Sequence, residues 1–305
     1  MLEKCFLFEG QGEQRPGMGN EIFKSYFAAR EVFDLGSKIT GVDLRRLCFE
    51  TDADELNKAD NSQLAIFTLS MAIFNAVKQE GFTPSYYAGF SLGECSALCA
   101  AGVFSLEDGF NIIKKRGELM HQCAQEKKGA MYAIIGLEDF EVERICAETK
   151  GFVAPANYNC PLQLVISGDA DSAYNAAHKC MEQGAKKAVR LSVEGAFHTR
   201  HMAKAAKEFR QFLKGFSFYK PKGTVFSNVY AGKMVDYFSI PDYLSSHILS
   251  PVRWKQEIKK IIESANVEFY EIGCGNTLSK LNRRIDRKII TKGLSNPAAL
   301  SEVLS

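Results

Sequence analysis

Ser91 sits at the centre of Gly89-Phe90-Ser91-Leu92-Gly93, a Gly-x-Ser-x-Gly sequence, and the chain holds five histidines that could serve it. A serine hydroxyl is a weak nucleophile until a neighbouring group takes its proton, so it needs a base within hydrogen-bond reach. A strand-like run, Ser85-Tyr86-Tyr87-Ala88, precedes the pentapeptide and a helix-like run, Glu94 to Ala101, follows it. That order predicts a nucleophile elbow: small residues two places either side let the chain turn sharply and hold the hydroxyl clear of the backbone. The helix N-terminus then offers free N–H groups to a developing oxyanion. Among the histidines, His121 and His178 fall in helical stretches beside charged residues and are expected on the surface. His198, in Gly195-Ala196-Phe197-His198-Thr199, falls between a strand and a helix, where it can face an elbow; His201 is the alternative base.

Positioning these groups requires an alternation of strands and helices. A first strand, Cys5-Phe6-Leu7-Phe8, runs into the tight Gly10-Gln11-Gly12 loop. That loop lacks both glycine-rich nucleotide signatures, so nucleotide binding is not expected. Helical periodicity follows over 20–39 and over 63–80, where Leu64, Phe67, Met71, Phe74 and Val77 form one apolar face. A helix over 106–125 comes after the elbow. From about residue 128 the rhythm becomes β-α-β-β-α-β, with strands at 129–135, 152–157, 162–167 and 185–191 and helices at 138–149 and 170–183, the ferredoxin-like order. Strands at 224–228 and 267–272 and a helix at 254–264 complete the pattern. The expectation is an α/β fold: a large α/β-hydrolase-like domain with a parallel sheet and helices, residues 1–127 and 192–305, with a small ferredoxin-like subdomain, residues 128–191, inserted.

Composition bounds the function. The 305 residues carry a net charge of +2, 46% hydrophobic and 24% charged residues, as in a soluble globular protein with no global bias toward nucleic acid. Nine cysteines are scattered singly, without Cys-x-x-Cys spacing, which argues against a disulfide framework or a zinc site and fits a reducing cytoplasm. No leader and no run of membrane-spanning length are read. No metal and no redox cofactor are expected.

Beyond the elbow, further segments recur in a fixed order: Phe8-Glu9-Gly10-Gln11-Gly12-Glu13-Gln14 with Gly17-Met18-Gly19, Lys115-Arg116-Gly117-Glu118-Leu119-Met120, Asn157 to Gly168, Gly195 to His198, Ser227-Asn228-Val229, Pro251 to Trp254, and Glu271 to Gly275. In these segments the chain resembles, over nearly its whole length, the malonyl-CoA:acyl carrier protein transacylases of bacterial fatty-acid synthesis and the related polyketide-synthase acyltransferase domains. The resemblance implies that Ser91 is the acyl-accepting nucleophile and His198 its base. It implies that the backbone carbonyl of His247 orients the imidazole and that the N–H groups of Gln11 and Leu92 form the oxyanion hole. Arg116 would bind the malonyl carboxylate with two parallel hydrogen bonds. Phe197 would crowd the space beside the α-carbon, with Met120 and Asn159 lining the pocket. The implied substrates are malonyl-CoA and the phosphopantetheine thiol of an acyl carrier protein, met transiently by a monomer in a ping-pong reaction. A polyketide carrier is the alternative acceptor, and a serine hydrolase or thioesterase with an acidic triad partner is the other class. Two residues depart from the family pattern: Phe90 stands where histidine is usual before the nucleophile, and His247 where glutamine is frequent. The Lys186-Lys187 and Arg283–Lys288 stretches are candidate contacts for an acidic carrier.

Overall fold

The computed structural model describes residues 2–304 apart from 236 and 238. Its ten strands are β1 (Glu3–Phe8), β2 (Tyr86–Gly89), β3 (Gly129–Ile135), β4 (Val153–Cys160), β5 (Gln163–Asp169), β6 (Lys187–Arg190), β7 (Thr224–Ser227), β8 (Gly232–Lys233), β9 (Val267–Ile272) and β10 (Thr291–Leu294). They form two sheets, of order β10-β9-β1-β2-β7-β8 and β4-β5-β3-β6.

In the six-stranded sheet β10, β9, β1, β2 and β7 run parallel, and only the two-residue β8 at the edge is antiparallel. Helices cover both faces of a parallel sheet, which is why Cys5 to Phe8 is an unbroken apolar run with all four residues at 0% exposure. Helix Ala59–Gln79 is buried around most of its circumference, between helices Phe27–Thr40 and Leu106–Glu126. Helix Leu92–Ala100, directly after β2, is buried at every position.

The four-stranded sheet is antiparallel throughout, with β-α-β-β-α-β connectivity. Side-chain alternation divides its two faces. Ala130, Ile134, Leu164 and Ile166 pack on helices Asp139–Glu148 and Ala170–Glu182. Met131, Ala133 and Val165 point the other way, into the main core. Edge strand β4 also grips the large sheet's side of the molecule. Tyr158 N–H donates to the Val252 carbonyl (2.8 Å), Val252 N–H donates to the Ala156 carbonyl (2.8 Å), and Asn157 and Val252 pair as an isolated parallel bridge.

Several expectations need correcting in detail. The helical stretch over 20–39 is two helices, Asn20–Ser25 and Phe27–Thr40, because Tyr26 is extended (φ −122°). The Arg30 guanidinium takes up the Phe23 and Lys24 carbonyls freed at that break. Helix Ala59–Gln79 begins four residues earlier than its apolar face suggests, and β4 runs on to Cys160. Helices Leu44–Phe49, Ala53–Leu56, Ile240–Leu249, Thr277–Ile285 and Pro297–Leu304 and strands β8 and β10 were not anticipated.

Candidate active site

Ser91 closes β2 and caps helix Leu92–Ala100 with φ 52° and ψ −110°, a left-handed backbone that a serine holds only under constraint. Glycines make the turn possible. A Cβ on Gly89 would collide with the backbone of Gly93 and Glu94, and one on Gly93 with the carbonyls of Phe8 and Glu9. The elbow thus lies directly against the end of β1.

His198 is likewise held at positive φ (58°), and it is 4% exposed. Its Nε2 lies 2.7 Å from Ser91 Oγ. Its Nδ1 faces two backbone carbonyls, Ser250 at 2.9 Å and His247 at 3.3 Å. The expected His247 carbonyl is present, but Ser250, from the turn that leaves helix Ile240–Leu249, is the nearer acceptor. With Nδ1 donating to these oxygens, the Nε2 lone pair faces the serine hydroxyl. Burial, with His247 and Arg116 nearby, holds the His198 pKa down to about 3, so the ring is neutral at pH 7. The Ser167 hydroxyl donates to the Phe197 carbonyl (2.9 Å) and Thr199 Oγ1 to the Ala196 carbonyl (2.7 Å), fixing the backbone on both sides of the imidazole. His201 lies elsewhere, its Nε2 3.0 Å from Asp169 and its ring beside Phe152. His178 is exposed as expected, whereas His121 is partly buried against Glu194 (2.8 Å).

Beneath the elbow is a buried polar network that sequence reading missed. Asn228 Oδ1 accepts the Ser91 N–H (2.8 Å), while Asn228 Nδ2 donates to the Gly89 carbonyl (2.8 Å) and to Glu257 Oε2 (2.7 Å). The Asn228 N–H donates in turn to Glu94 Oε2 (2.7 Å), and Tyr243 donates to the other Glu94 oxygen. The His247 ring closes the network, with Nε2 3.5 Å from Glu94 Oε2 and 3.4 Å from Asn228 Oδ1. Burial and the nearby Glu94 push the Glu257 carboxyl well above the usual carboxylate range. Asn228 stood in one of the matched sequence segments, yet its contacts reach back 137 residues and leave no local signature.

Ser91 and His198 open into a cavity of about 220 Å³. Met120, Phe197 and Asn159 line it, with Phe90, Met131 and Val165. Arg116 is not part of that lining. It is 1% exposed, and its Nη1 donates to Gln63 Oε1 (2.6 Å). The amide of the same Gln63 donates to the sulfur of Met120, one helical turn after Arg116 and on the cavity wall (3.6 Å). Arg116 Nε and Nη2 are buried without a partner. These two atoms share one edge of the guanidinium, the edge that donates two parallel hydrogen bonds to a carboxylate. Leaving two charged donors unmatched in the interior costs several kcal/mol, so the arrangement asks for an anionic ligand group.

The Gly10–Gln14 loop completes the site. A Cβ on Gly10 would meet the Phe90 carbonyl, so the loop packs on the elbow, and Gln11 borders the cavity beside Ser91. Buried Glu9 ties this loop to the end of β9 by accepting the N–H groups of Cys274 (2.8 Å) and Gly275 (2.7 Å). Burial, with Glu271 and Glu13 close by, lifts its pKa to about 9. Phe90, the departure before the nucleophile, packs edge-on to buried Trp254 (ring centroids 5.7 Å apart).

A hydroxyl on a strand–turn–helix elbow, a neutral imidazole bonded to it, and a cavity whose wall is linked through Met120 and Gln63 to the unmatched donors of Arg116 make a centre for transferring acyl groups. Residues 5–285 match the acyl transferase domain family, and the chain belongs to that family: it is an acyltransferase. It is 38% identical to the malonyl CoA-acyl carrier protein transacylase of Bacillus subtilis over 303 residues, 98% of this chain and 96% of that one. It is 36% identical to the same organism's polyketide biosynthesis malonyl CoA-acyl carrier protein transacylase, over 92% of this chain and 96% of that one. Among solved structures, a malonyl-transacylase in complex with its type II PKS acyl-carrier protein superposes with a TM-score of 0.95 at 33% identity, covering 99% of each chain.

Proposed function

We propose that the protein moves malonyl from malonyl-CoA to the phosphopantetheine thiol of a holo-acyl carrier protein by a ping-pong route through a Ser91 ester. Ser91 Oγ attacks the thioester carbonyl carbon as its proton passes to His198 Nε2. The C–S bond then breaks, and the CoA thiolate takes that proton. In the second half the carrier thiol gives its proton to His198 and attacks the ester, and Ser91 leaves and is reprotonated. The Gln11 and Leu92 N–H groups form the oxyanion hole. Leu92 is the first residue of its helix, so its N–H has no intrahelical acceptor. The carbonyls of Ser250 and His247 keep the imidazole in the required tautomer.

The observation that carries the choice of acyl group is the unmatched Nε–Nη2 edge of buried Arg116, which suits the free carboxylate of malonyl. Phe197, Met120 and Asn159 shape the space between that carboxylate and Ser91, with Phe197 disfavouring branched acyl groups. The hydrolase reading is less well supported, since His198 Nδ1 faces carbonyls where a triad would place a carboxylate. We read residues 128–191 as a ferredoxin-like insertion into an α/β-hydrolase-like domain formed by 1–127 and 192–305, acting as a monomer without a cofactor. Fatty-acid synthesis is the favoured pathway; a polyketide assembly line, as in the second Bacillus subtilis relative, uses the same chemistry.

Radiolabelled malonyl-CoA mixed with the protein and holo-carrier tests the reading. Label is expected on the carrier, and label released as free malonate would overturn it. Arg116→Ala should lower malonyl transfer by a few hundredfold, about 3–4 kcal/mol for two charge-assisted hydrogen bonds, while acetyl transfer persists. An unchanged malonyl preference would place the carboxylate contact elsewhere.

A further inference from the structure

The chain between β6 and His198 forms a thin wall. Leu191 and Val193 line the catalytic cavity on one side. On the other side they line, with Glu194, an open cleft of about 430 Å³ against Asn57 and Lys58. The Leu191 N–H continues the β6 ladder by donating to the Met131 carbonyl (2.9 Å). Among the described residues, the backbone of 192–195 then makes no hydrogen bond to other backbone. Segments so poor in backbone bonds are the first to open.

Apart from the packing of Leu191 and Val193 on the core, one side chain holds this strap. Glu194 Oε2 accepts the Ala59 N–H (2.8 Å) and the Nδ1 of His121 (2.8 Å), and its Oε1 accepts from Gln125 Nε2 (3.3 Å). Ala59 opens helix Ala59–Gln79, whose N-cap Lys58 offers no side-chain acceptor. The Glu194 carboxylate therefore meets both an orphan N–H and the positive end of the helix dipole. His121 and Gln125 lie four residues apart on one face of helix Leu106–Glu126. The strap is thus clipped to the same two helices that carry Gln63, Arg116 and Met120. Gln63 follows Ala59 by one turn, and His121 follows Met120 directly.

Beyond the strap, the chain is fixed separately. Ser167 and Thr199 hold the Phe197 and Ala196 carbonyls, so freeing Glu194 would let the wall swing outward while His198 stays in place.

We propose that Glu194 is a positioning residue, a latch that keeps the 191–195 strap shut so that the acyl group on Ser91 meets the acceptor thiol before it meets water. With the strap open, water from the cleft adds to the ester carbonyl and its proton passes to His198. Ser91 Oγ then departs, takes that proton and leaves free malonate. This rests on Ser91 carrying the malonyl ester.

Two readouts on the full chain test the latch. The first is the half-life of the malonyl-enzyme, loaded from radiolabelled malonyl-CoA, freed of CoA and kept without carrier. Glu194→Ala is expected to shorten it about tenfold, the weight of one charge-assisted hydrogen bond, while the loading rate changes less than about threefold. Glu194→Gln, which can still accept the Ala59 N–H, is expected to keep most of the wild-type half-life. The second readout is hydrogen exchange of the 192–197 amides, expected to speed up in Glu194→Ala while the rest of the molecule stays protected. An unchanged half-life or unchanged exchange in Glu194→Ala would overturn the proposal. So would a matching fall in loading rate and Tm, the mark of a merely structural residue. If Glu194→Ala does not fold, His121→Ala combined with Gln125→Ala removes the second anchor and is judged by the same two readouts. Wild-type protein that forms no malonyl ester would overturn the reaction instead, and the exchange measurement would still decide the latch.

Discussion

The cavity has two walls built on opposite plans. The wall carrying Ser91 is constrained many times over, by glycines whose Cβ positions are occupied and by Asn228 bonded to the backbone of both Gly89 and Ser91. The facing wall, from the antiparallel sheet, mixes apolar Met131, Ala133 and Val165 with the uncharged amides Asn157, Asn159 and Gln163. The first wall holds the elbow backbone by filled space and by hydrogen bonds. The second has only to be the right shape, and adaptable side chains such as Met131 suffice. On the proposed reading, chemistry is located where polar partners are counted, the malonyl carboxylate falls to Arg116, and the rest of the acyl shape is set where volume is counted.

This contrast is open to attack, beginning with the dyad. Ser91→Ala or His198→Ala should lower transfer about ten-thousand-fold or more, with little change in Tm. A smaller loss in single-turnover assays would place the nucleophile elsewhere. Asn228→Ala should come next, lowering the rate of Ser91 loading about 30–100-fold and Tm by a few degrees, since it frees the Ser91 N–H and removes a partner of Glu257. If the constrained wall carries the chemistry, KM for malonyl-CoA should move less than kcat.

The pH profile tests the neutral imidazole. Because the His198 pKa falls from an ordinary 6.5 to about 3 in the folded protein, loading should stay flat from pH 7 to 5. Stability behaves differently. The unfolded chain takes up the proton near 6.5 and the folded one resists it, so the His198 contribution is intact above 6.5 and is lost as pH falls toward 3. An acid limb in the loading rate near pH 6.5 would contradict this burial. The smallest effect is expected at the elbow's odd residue. Phe90→His should keep kcat within about tenfold and cost roughly 1 kcal/mol through the lost pairing with Trp254, read as a small drop in Tm.

Legibility in the sequence followed the same division. Ser91, His198, Met120, Phe197 and Asn159 lie in segments with local signatures, and the structure gathers all five at one cavity. Strand and helix alternation gave the parallel sheet and the β-α-β-β-α-β unit because apolar periodicity is a local property. Gln63, Glu94, Ser250 and the role of Asn228 were hidden, since their partners are set by tertiary contacts across 52 to 137 residues. The His201 alternative could be rejected only once the fold had turned that ring toward Asp169. Helix Thr277–Ile285 escaped notice because its apolar face is short and flanked by basic residues.

The grip of β4 on Val252 limits how this enzyme can be rebuilt. Asn157 and Asn159 reach the cavity, whereas Tyr158 between them bonds Glu143 on the opposite face. A strand has a side-chain period of two, so a slip of one residue at this seam would swing Tyr158 into the acyl pocket and take both asparagines out. The same seam lies two residues from Ser250, whose carbonyl sets the His198 tautomer. A chimera that exchanges residues 128–191 with a relative to change substrate therefore inherits two settings at once, the pocket's contents and the alignment of the base. The pairing at Ala156–Tyr158 is the joint such an exchange must preserve.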